Sequence, residues 1–175
     1  MRTLIREELQ HYLRLTPPLV EGLLDPAVQV QPHGIDLTVD RVERLEGAGR
    51  VGFASEVTVR PPGREVPFNV PDAQGGRPWV YLEPGAYRIR LAERVHLPRD
   101  VYAIARPRSS LLRMGVHVGT ALWDAGYSGR GEALLVVHNP HGLHLQHRAR
   151  VLQLVFFRLD TAPQAGYAGR YQGEG

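Results

Sequence analysis

The 175-residue chain contains no cysteine. This absence excludes disulfide bonds, thiolate metal ligands and a cysteine nucleophile. Lysine is also missing, so all 21 basic residues are arginine. Guanidinium groups favour bidentate binding of phosphate or carboxylate, so this composition directs attention to anionic ligands. The net charge of +3 is too small to predict binding to nucleic acid.

Long apolar runs are absent as well. No stretch approaches the ~20 residues that a membrane helix needs. The N-terminal stretch MRTLIREELQHYL carries charges throughout, which is not typical of a signal peptide. We therefore expect a cytoplasmic protein that binds no membrane. Its length and its hydrophobic content of 43% predict one globular domain over residues 1–175.

Several familiar nucleotide-binding and hydrolase motifs are missing too. The sequence has no GxxxxGK[ST] loop, no GxGxxG after a strand and no GxSxG elbow. These absences argue against a P-loop nucleotidase, a dinucleotide-binding domain and an α/β-hydrolase. A zinc deaminase of the HxE…PCxxC type is excluded because it needs cysteine.

The apolar pattern predicts a short helix followed by many short strands. Apolar spacing on one helical face places the helix at residues 3–13, through Ile5, Leu9, Tyr12 and Leu13. Glycines and prolines then separate apolar runs with β-type composition, and from the residues alone this pattern favours a β-sandwich or barrel. The predicted strand regions are 27–31, 34–45, 54–61, 79–98, 101–107, 131–139 and 142–160.

Four histidines recur at every third position: His138, His141, His144 and His147. This spacing is compatible with a metal cluster. The alternative is a solvated hairpin tip, because Pro140 and Gly142 mark a turn between strands. No acidic residue lies nearby in sequence to orient metal-bound histidines.

The stretch PRSSLLRMG follows a predicted strand and combines hydroxyl and guanidinium groups. If a helix begins at Ser109, its free N–H groups, the serine hydroxyls and the nearby arginines together form an anion site. The alternative is a serine N-cap with arginines that face solvent.

Asp124 lies between VGTALW and AGYSG. Its carboxylate is ionised at neutral pH and can accept a proton from water. Gly126 and Gly129 bracket Tyr127, which suggests a tight hairpin with the ring at its edge, available to a sugar. The alternative is an ordinary turn with aspartate as the turn former.

Taken together, these segments resemble the dUTPase/dCTP deaminase family of trimeric nucleotide enzymes. Five segments match in the family's order: GIDL, PRSSLLRMG, WDAGYSG, RVLQLVF and YAGRYQGEG. The run LAERVHLPRDVYA before the second motif is similar to the dCTP deaminase-like branch. The resemblance extends from about residue 30 to the end of the chain.

The resemblance implies an all-β, distorted jelly-roll fold with a short N-terminal helix, assembled as a homotrimer with active sites at subunit interfaces. It implies hydrolysis of dUTP to dUMP and pyrophosphate, with Asp124 activating a water for attack at the α-phosphorus. Mg²⁺ is the implied cofactor, held by the substrate triphosphate and not directly by the protein. Residues 161–175 would form a mobile C-terminal lid.

The resemblance also assigns roles to individual residues. The implied phosphate-binding set is Arg108, Ser109, Ser110, Arg113, Gln153, Arg170 and Gln172. The implied contacts to base and sugar are Tyr127, Val118, Gly119 and Trp123, with Tyr167 and Tyr171 in the lid. Asp36 would support the site from behind, or would be a strand-end carboxylate bound by backbone N–H groups. Arg170 and Glu174 depart from the family's KYQGQ-like closure, in which lysine and glutamine occupy these positions.

The choice between the two branches depends on one carboxylate. The glutamate that activates water in the deaminases falls on Leu134 when counted from Asp124, and on Val136 when counted back from Asn139. An aliphatic side chain cannot carry a proton, so dUTP hydrolysis is the preferred interpretation.

Two alternatives stay open. The first is a dCTP deaminase, alone or combined with dUTP hydrolysis, which would use Glu132 as a shifted base. Glu132 lies one pleat away from Leu134 (~6.5–7 Å) on the same strand face. The second is a nucleotide-binding trimer without activity.

Overall fold

Strands dominate the computed structural model, which describes residues 1–174. The strands are β1 Arg2–Thr3, β2 Val20–Glu21, β3 Val30–Gln31, β4 Gly34–Leu45, β5 Gly63–Glu65, β6 Trp79–Leu82, β7 Gly85–Leu91, β8 Arg94–His96, β9 Val101–Pro107, β10 Val116–Gly119, β11 Ser128–Gly129, β12 Glu132–Val137, β13 Leu143–Gln146 and β14 Arg150–Arg158. The helices are α1 Arg6–Tyr12, α2 Pro26–Gln29 and α3 Ser109–Arg113, with one 3₁₀ turn at Ser55–Val57. The predicted all-β class is confirmed.

The strands form three sheets, in which every described pairing is antiparallel. The largest sheet has nine strands, with the path β1-β14-β4-β7-β12-β10 and with β3, β5 and β9 paired to it. Two small sheets, β11-β8-β2 and β13-β6, complete the fold. Strands distant in sequence are neighbours here, so the fold depends on non-local pairing.

The core lies along β4 and β14, which pair with each other. Residues 34–39 of β4 are all buried, so this strand packs on both faces. On β14, Leu152, Leu154 and Phe156 are fully buried at alternate positions. Each buried aliphatic side chain contributes about 1.5–3 kcal/mol to folding. The same two strands carry Asp36 and Gln153, so the core fixes the positions of two predicted site residues.

The N-terminal helix is shorter than predicted. Residues 2–3 form β1 and pair with β14, so the helix begins only at Arg6. The backbone N–H of Ile5 donates to the Glu8 carboxylate at 3.2 Å, which caps the helix start. Leu9 is fully buried, whereas Ile5 is 46% exposed and does not belong to the buried face. No described helix is long and apolar enough to cross a membrane.

Two strand predictions are wrong in part. At residues 27–31, α2 replaces most of the predicted strand because the Asp25 side chain accepts the Ala27 N–H and Pro26 begins the helix. At residues 54–61, the alternating valines Val57 and Val59 are 44% and 49% exposed. They find no facing apolar layer, and the segment forms a 3₁₀ turn and a single bridge to Arg50.

Candidate active site

A cavity of about 350 Å³ lies beside the loop that joins β10 to β12. Its volume is that of a small-molecule site. The loop and the start of β12 contribute most of its wall: Thr120, Ala121, Leu122, Trp123, Asp124, Tyr127, Gly131 and Glu132. The motif WDAGYSG therefore lines a cavity and is not merely an exposed turn.

The loop is anchored immediately before Asp124. Trp123 and Ala103 of β9 exchange two backbone hydrogen bonds, at 2.9 and 3.0 Å. The backbone N–H of Tyr127 then donates to the Asp124 carbonyl at 3.1 Å, which closes a turn. The Asp124 side chain is exposed and forms no hydrogen bond or ion pair with another described residue. Its carboxylate is thus free to contact water.

Tyr127 occupies the floor of the cavity among other aromatic rings. The Trp123 and Tyr167 rings meet it edge to face, with centroids 5.5 and 5.7 Å away. The tyrosine is only 8% exposed, so the expectation of a ring presented at the hairpin edge is wrong. The ring is covered because the C-terminal segment packs over it. Burial raises the pKa of the Tyr127 phenol to about 12, and the nearby Glu174 adds to the shift.

The C-terminal segment forms the opposite wall through Tyr167, Tyr171 and Glu174. Backbone hydrogen bonds join it to the loop: Tyr167 N–H to the Ala125 carbonyl, Gly173 N–H to the Ser128 carbonyl and Arg130 N–H to the Glu174 carbonyl, each at 2.8 Å. The Gln172 amide also contacts the loop, accepting from the Ser128 N–H and donating to the Gly126 carbonyl. The segment therefore lies closed over its own chain's cavity.

Glu132 is the second carboxylate of the loop and β12 wall, and its surroundings differ from those of Asp124. Its Oε2 lies 3.0 Å from Arg60 Nη1 and 3.8 Å from Arg88 Nε. Burial raises the pKa of the Glu132 carboxyl, and Arg60 and Arg88 oppose that shift. Leu134 lies on the same face of β12 and is 44% exposed, as the strand alternation predicts.

The predicted phosphate-binding motif forms α3, a helix that begins at Ser109, the start that the anion-site interpretation assumes. No side chain caps its N-terminus, so the serine N-cap alternative is wrong. Ser109, Ser110 and Arg113 are exposed, and Arg108 is partly buried.

Asp36 holds the residues behind α3 together. It is 2% exposed and lies opposite Gln153 in the β4–β14 register. Its carboxylate accepts from the Gln153 amide at 3.3 Å and from Arg150 Nη1 at 3.1 Å. Arg108 Nε lies 3.3 Å from the same carboxylate. Asp36 is therefore bound by side chains, and it orients two residues of the predicted phosphate set.

The structure brings together some predicted site residues and leaves others apart. None of Arg108, Ser109, Ser110, Arg113 and Gln153 lines the cavity that contains Asp124. Val118 is buried within β10, opposite Leu135, and Gly119 lines only an adjoining depression with Glu132 and Leu134. Arg170 donates to the Thr58 carbonyl at 3.1 Å and does not line the cavity.

Two cavity or site residues receive no role from the sequence, although Arg150 begins the matching segment RVLQLVF. Arg60 comes from the irregular segment between β4 and β6, and Arg150 binds Asp36 from the start of β14. Neither belongs to a position whose role the motifs define. Only the tertiary structure reveals them.

His138 and His141 lie in the connection between β12 and β13, His144 lies on β13 and His147 follows it, and the two strands pair with different neighbours. The hairpin interpretation is therefore wrong. His138 and His141 are exposed, His144 packs near the Tyr81 ring, and His147 lies 5.0 Å from the Phe68 ring. Among residues 1–174, no three acidic or histidine side chains converge as ligands of a metal ion.

A sequence profile of the dCTP deaminase-like family matches residues 4–159. The chain belongs to this family. The resemblance predicted from the five motifs is thereby confirmed, and the match includes both the Asp36 cluster and the Asp124 loop.

Proteins with the name probable deoxyuridine 5'-triphosphate nucleotidohydrolase are similar to this chain. The protein from Archaeoglobus fulgidus is 48% identical over 156 residues, covering 89% of this chain and 88% of that protein. The protein from Methanococcoides burtonii is 41% identical over 174 residues, covering 99% of both. These relatives carry the name of a hydrolase that acts on dUTP.

The fold is similar to a solved structure of 2'-deoxycytidine 5'-triphosphate deaminase from Agrobacterium tumefaciens. The TM-score is 0.63 with 21% sequence identity, and the match covers 88% of this chain and 47% of that chain. This chain thus spans about half the length of that protein. The likeness confirms the predicted jelly-roll fold of the dCTP deaminase-like family.

Proposed function

We propose that this protein hydrolyses dUTP to dUMP and pyrophosphate. The observation that carries the proposal is the contrast between two carboxylates of one cavity. Asp124 is exposed and unpaired among the described residues, whereas Glu132 is bound to arginines. Asp124 can therefore act on water, and the position from which a deaminase would act is apolar. The names of the relatives support the same substrate.

In the proposed reaction, the Asp124 carboxylate orients a water and accepts its proton as the water oxygen attacks the α-phosphorus. A new oxygen–phosphorus bond forms, and the bond from the α-phosphorus to the bridging oxygen breaks. Pyrophosphate leaves with that oxygen, and dUMP remains. Phosphoryl transfer needs little covalent chemistry from a protein, so positioning and electrostatics supply most of the acceleration.

Mg²⁺ enters this proposal as part of the substrate complex. The ion usually keeps several waters and binds substrate phosphates with one or two carboxylates, so it needs no cage of protein ligands. The described residues fit this arrangement, because the exposed Ser109, Ser110 and Arg113 would bind the triphosphate that carries the ion, and Asp124 stays available as the base. When bound, the ion would neutralise the charge of the triphosphate.

We propose that the nucleoside binds in the cavity and that its sugar packs on the Tyr127 ring. Backbone groups around Thr120–Asp124 would contact the uracil. The described part of the predicted C-terminal lid, residues 161–174, would open to admit the nucleotide and close through Tyr167 and Tyr171. Residue 175 lies outside the described residues. Arg170 and Gln172 would turn from their present backbone partners to the phosphates.

The phosphate set on α3 and β14 would come from a neighbouring subunit of a homotrimer. This arrangement is supported by the separation within one chain, where none of Arg108, Ser109, Ser110, Arg113 and Gln153 lines the cavity that contains Asp124. Exposed apolar side chains next to the phosphate set, Leu112 at 54% and Met114 at 51%, offer surface that a second copy would cover. The α3 serines and arginines would then bind phosphates beside the partner's cavity.

A dCTP deaminase is the second candidate because Glu132 lines the same cavity. One assay distinguishes the candidates. The protein is incubated with Mg²⁺ and either dUTP or dCTP, and pyrophosphate and ammonia are measured. Pyrophosphate from dUTP without ammonia from dCTP is the expected result. Ammonia from dCTP would overturn the choice of branch, and nucleotide binding without either product would indicate a non-enzymatic binding protein.

Asp124→Asn tests the assignment of the base. We expect dUTP hydrolysis to fall by about 10²–10⁴-fold, the usual contribution of a positioned general base. The matched control is Glu7→Gln, which removes an exposed carboxylate on α1. Near-normal hydrolysis by Asp124→Asn, with an unchanged thermal unfolding midpoint, would refute the assignment.

A further inference from the structure

Arg60 contacts three groups at the mouth of the cavity, and the reaction described above does not use it. Its Nη1 atom lies 3.0 Å from Glu132 Oε2 and 3.3 Å from Glu174 Oε1. Its guanidinium also lies over the Tyr171 ring, 5.8 Å from the centroid. Arg60 therefore joins β12, the C-terminal segment and the irregular segment between β4 and β6.

The same irregular segment holds the C-terminal segment at a second point. Arg170 Nη1 donates to the Thr58 carbonyl, two residues before Arg60. Residues 58–60 are themselves fixed, because Arg50 and Val59 exchange two backbone hydrogen bonds at 2.8 and 2.9 Å. The C-terminal segment thus closes against a supported backbone and not against a free loop.

The charges at this contact favour a cation between the two carboxylates. Glu132 and Glu174 are both acidic, and the Glu174 charge contributes to the raised pKa of Glu132. One guanidinium between the two carboxylates converts a repulsive pair into an attractive triad. Glutamate at position 174, which is unusual for the closure motif, thereby gains a partner.

We propose that Arg60 is a positioning residue that locks residues 167–174 over the cavity by bridging Glu132 and Glu174. The inference rests on the proposed function, since the closed segment covers the nucleotide site. Arg60 acts through the lid and does not touch the reacting atoms. Its loss should therefore weaken nucleotide retention more than it slows the chemical step.

Closure can be measured without any nucleotide. Hydrogen–deuterium exchange reports on the backbone N–H groups of Arg130 and Gly173, which bind the loop to the C-terminal segment. We expect Arg60→Ala to accelerate exchange at these amides by roughly threefold to tenfold, since it removes two partly exposed ion pairs and a cation–π contact. The matched control is Arg44→Ala, which removes an exposed ion pair to Glu83. It should leave these amides unchanged.

Exchanging the charges at positions 60 and 174 distinguishes loss of the Arg60 bridge from a general loss of folding stability. Arg60→Glu and Glu174→Arg should each open the segment, because each places like charges together. In the double variant, an arginine at 174 lies between two glutamates, so slow exchange should return. Failure of the double variant to recover, with its thermal unfolding midpoint equal to that of the wild type, would overturn the bridge.

Kinetics supply the functional readout. For Arg60→Ala we expect KM for dUTP to rise by a similar factor, roughly threefold to tenfold, with kcat nearly unchanged, because the closed state is less populated but intact once formed. Wild-type exchange and wild-type KM in Arg60→Ala would refute the proposal for Arg60. A wild-type protein without dUTP hydrolysis would instead refute the proposed function, and the exchange experiment would still report on the bridge.

Discussion

At the scale of single residues, the site depends on how differently its ionisable groups are held. Asp124 follows an anchored tryptophan and is open to solvent, whereas Glu132 is enclosed by arginines. Tyr127 is buried beneath aromatic rings, and its phenol is hard to ionise. The three groups line one cavity, and of the three only Asp124 is exposed to solvent and unpaired among the described residues.

The burial of Tyr127 predicts a measurable dependence of stability on pH. Because the pKa of the phenol is raised from 10.0 to about 12, its neutral form favours folding, and this stabilisation is present below pH 10 and lost as the pH rises through 12. The loss amounts to about 2–3 kcal/mol, since one pKa unit corresponds to ~1.4 kcal/mol. Urea unfolding between about pH 9 and 12 should show this decline in the wild type relative to Tyr127→Phe. Tyr81→Phe is the control for removing a more exposed phenol, and parallel profiles for wild type and Tyr127→Phe would contradict the prediction.

At the scale of elements, strand prediction succeeds where the sequence pattern and the tertiary packing agree. The predicted bounds of residues 34–45 and 101–107 are those of β4 and β9. The strand predicted at residues 27–31 is mostly helix because Asp25 and Pro26 begin a helix. This local helix signal determines the structure, although the apolar alternation predicts a strand. At residues 54–61 no facing layer exists, and alternation alone does not make a strand.

The residues of the candidate site likewise divide into those that sequence motifs predict and those that only tertiary packing brings together. The motifs predict the residues that the Asp124 loop and the C-terminal segment bring together, because each motif lies on one continuous stretch. Arg60 could not be predicted, since a segment with little regular structure delivers it to Glu132 over a separation of 72 residues. The contact is a consequence of tertiary packing, and one sequence carries no signal for it.

The junction between the loop and the C-terminal segment gives a prediction for Gly126. This glycine has φ +86°, and a Cβ at this position would lie 2.8 Å from the Gly166 Cα and 2.9 Å from the Tyr167 nitrogen. Gly126→Ala should therefore strain its own backbone and also displace the C-terminal segment. We expect faster amide exchange at Tyr167 and a higher KM for dUTP.

Gly75→Ala is the matched control for that substitution. Gly75 also has positive φ, at +75°, but a Cβ there would meet nothing within 4 Å. Both variants should lose about 1 kcal/mol of stability from the backbone conformation, and only Gly126→Ala should open the segment. Equal amide exchange at Tyr167 in the two variants would show that contact between a Cβ at position 126 and the C-terminal segment does not open that segment.

At the scale of the whole molecule, the fold divides the polar residues of the proposed site into two groups. One group surrounds Asp124, and the other is organised on α3 and β14 by the buried Asp36. Arginines serve both groups, as Arg60 in the cavity and as Arg108 beside Asp36. Under the proposed function, a neighbouring subunit would bring the second group to the Asp124 cavity.

Mixed oligomers test this requirement directly. Asp124→Asn removes the proposed base, and Arg113→Ala removes an exposed arginine of the proposed phosphate set, so each homotrimer should be nearly inactive. In a cyclic trimer that contains both variants, one of the three interfaces joins an intact Asp124 to an intact Arg113. Mixed trimers can be purified through a different affinity tag on each variant. They should regain about a third of the wild-type activity.

The control for mixing is a doubly tagged trimer in which every chain carries Asp124→Asn, and this particle should remain inactive. If both groups acted within one chain, every chain of the mixed trimer would lack one of them. The activity per trimer would then lie between the activities of the two parent variants. Recovery to about a third, together with a trimeric mass in sedimentation, is consistent only with a site that takes Asp124 from one subunit and Arg113 from its neighbour.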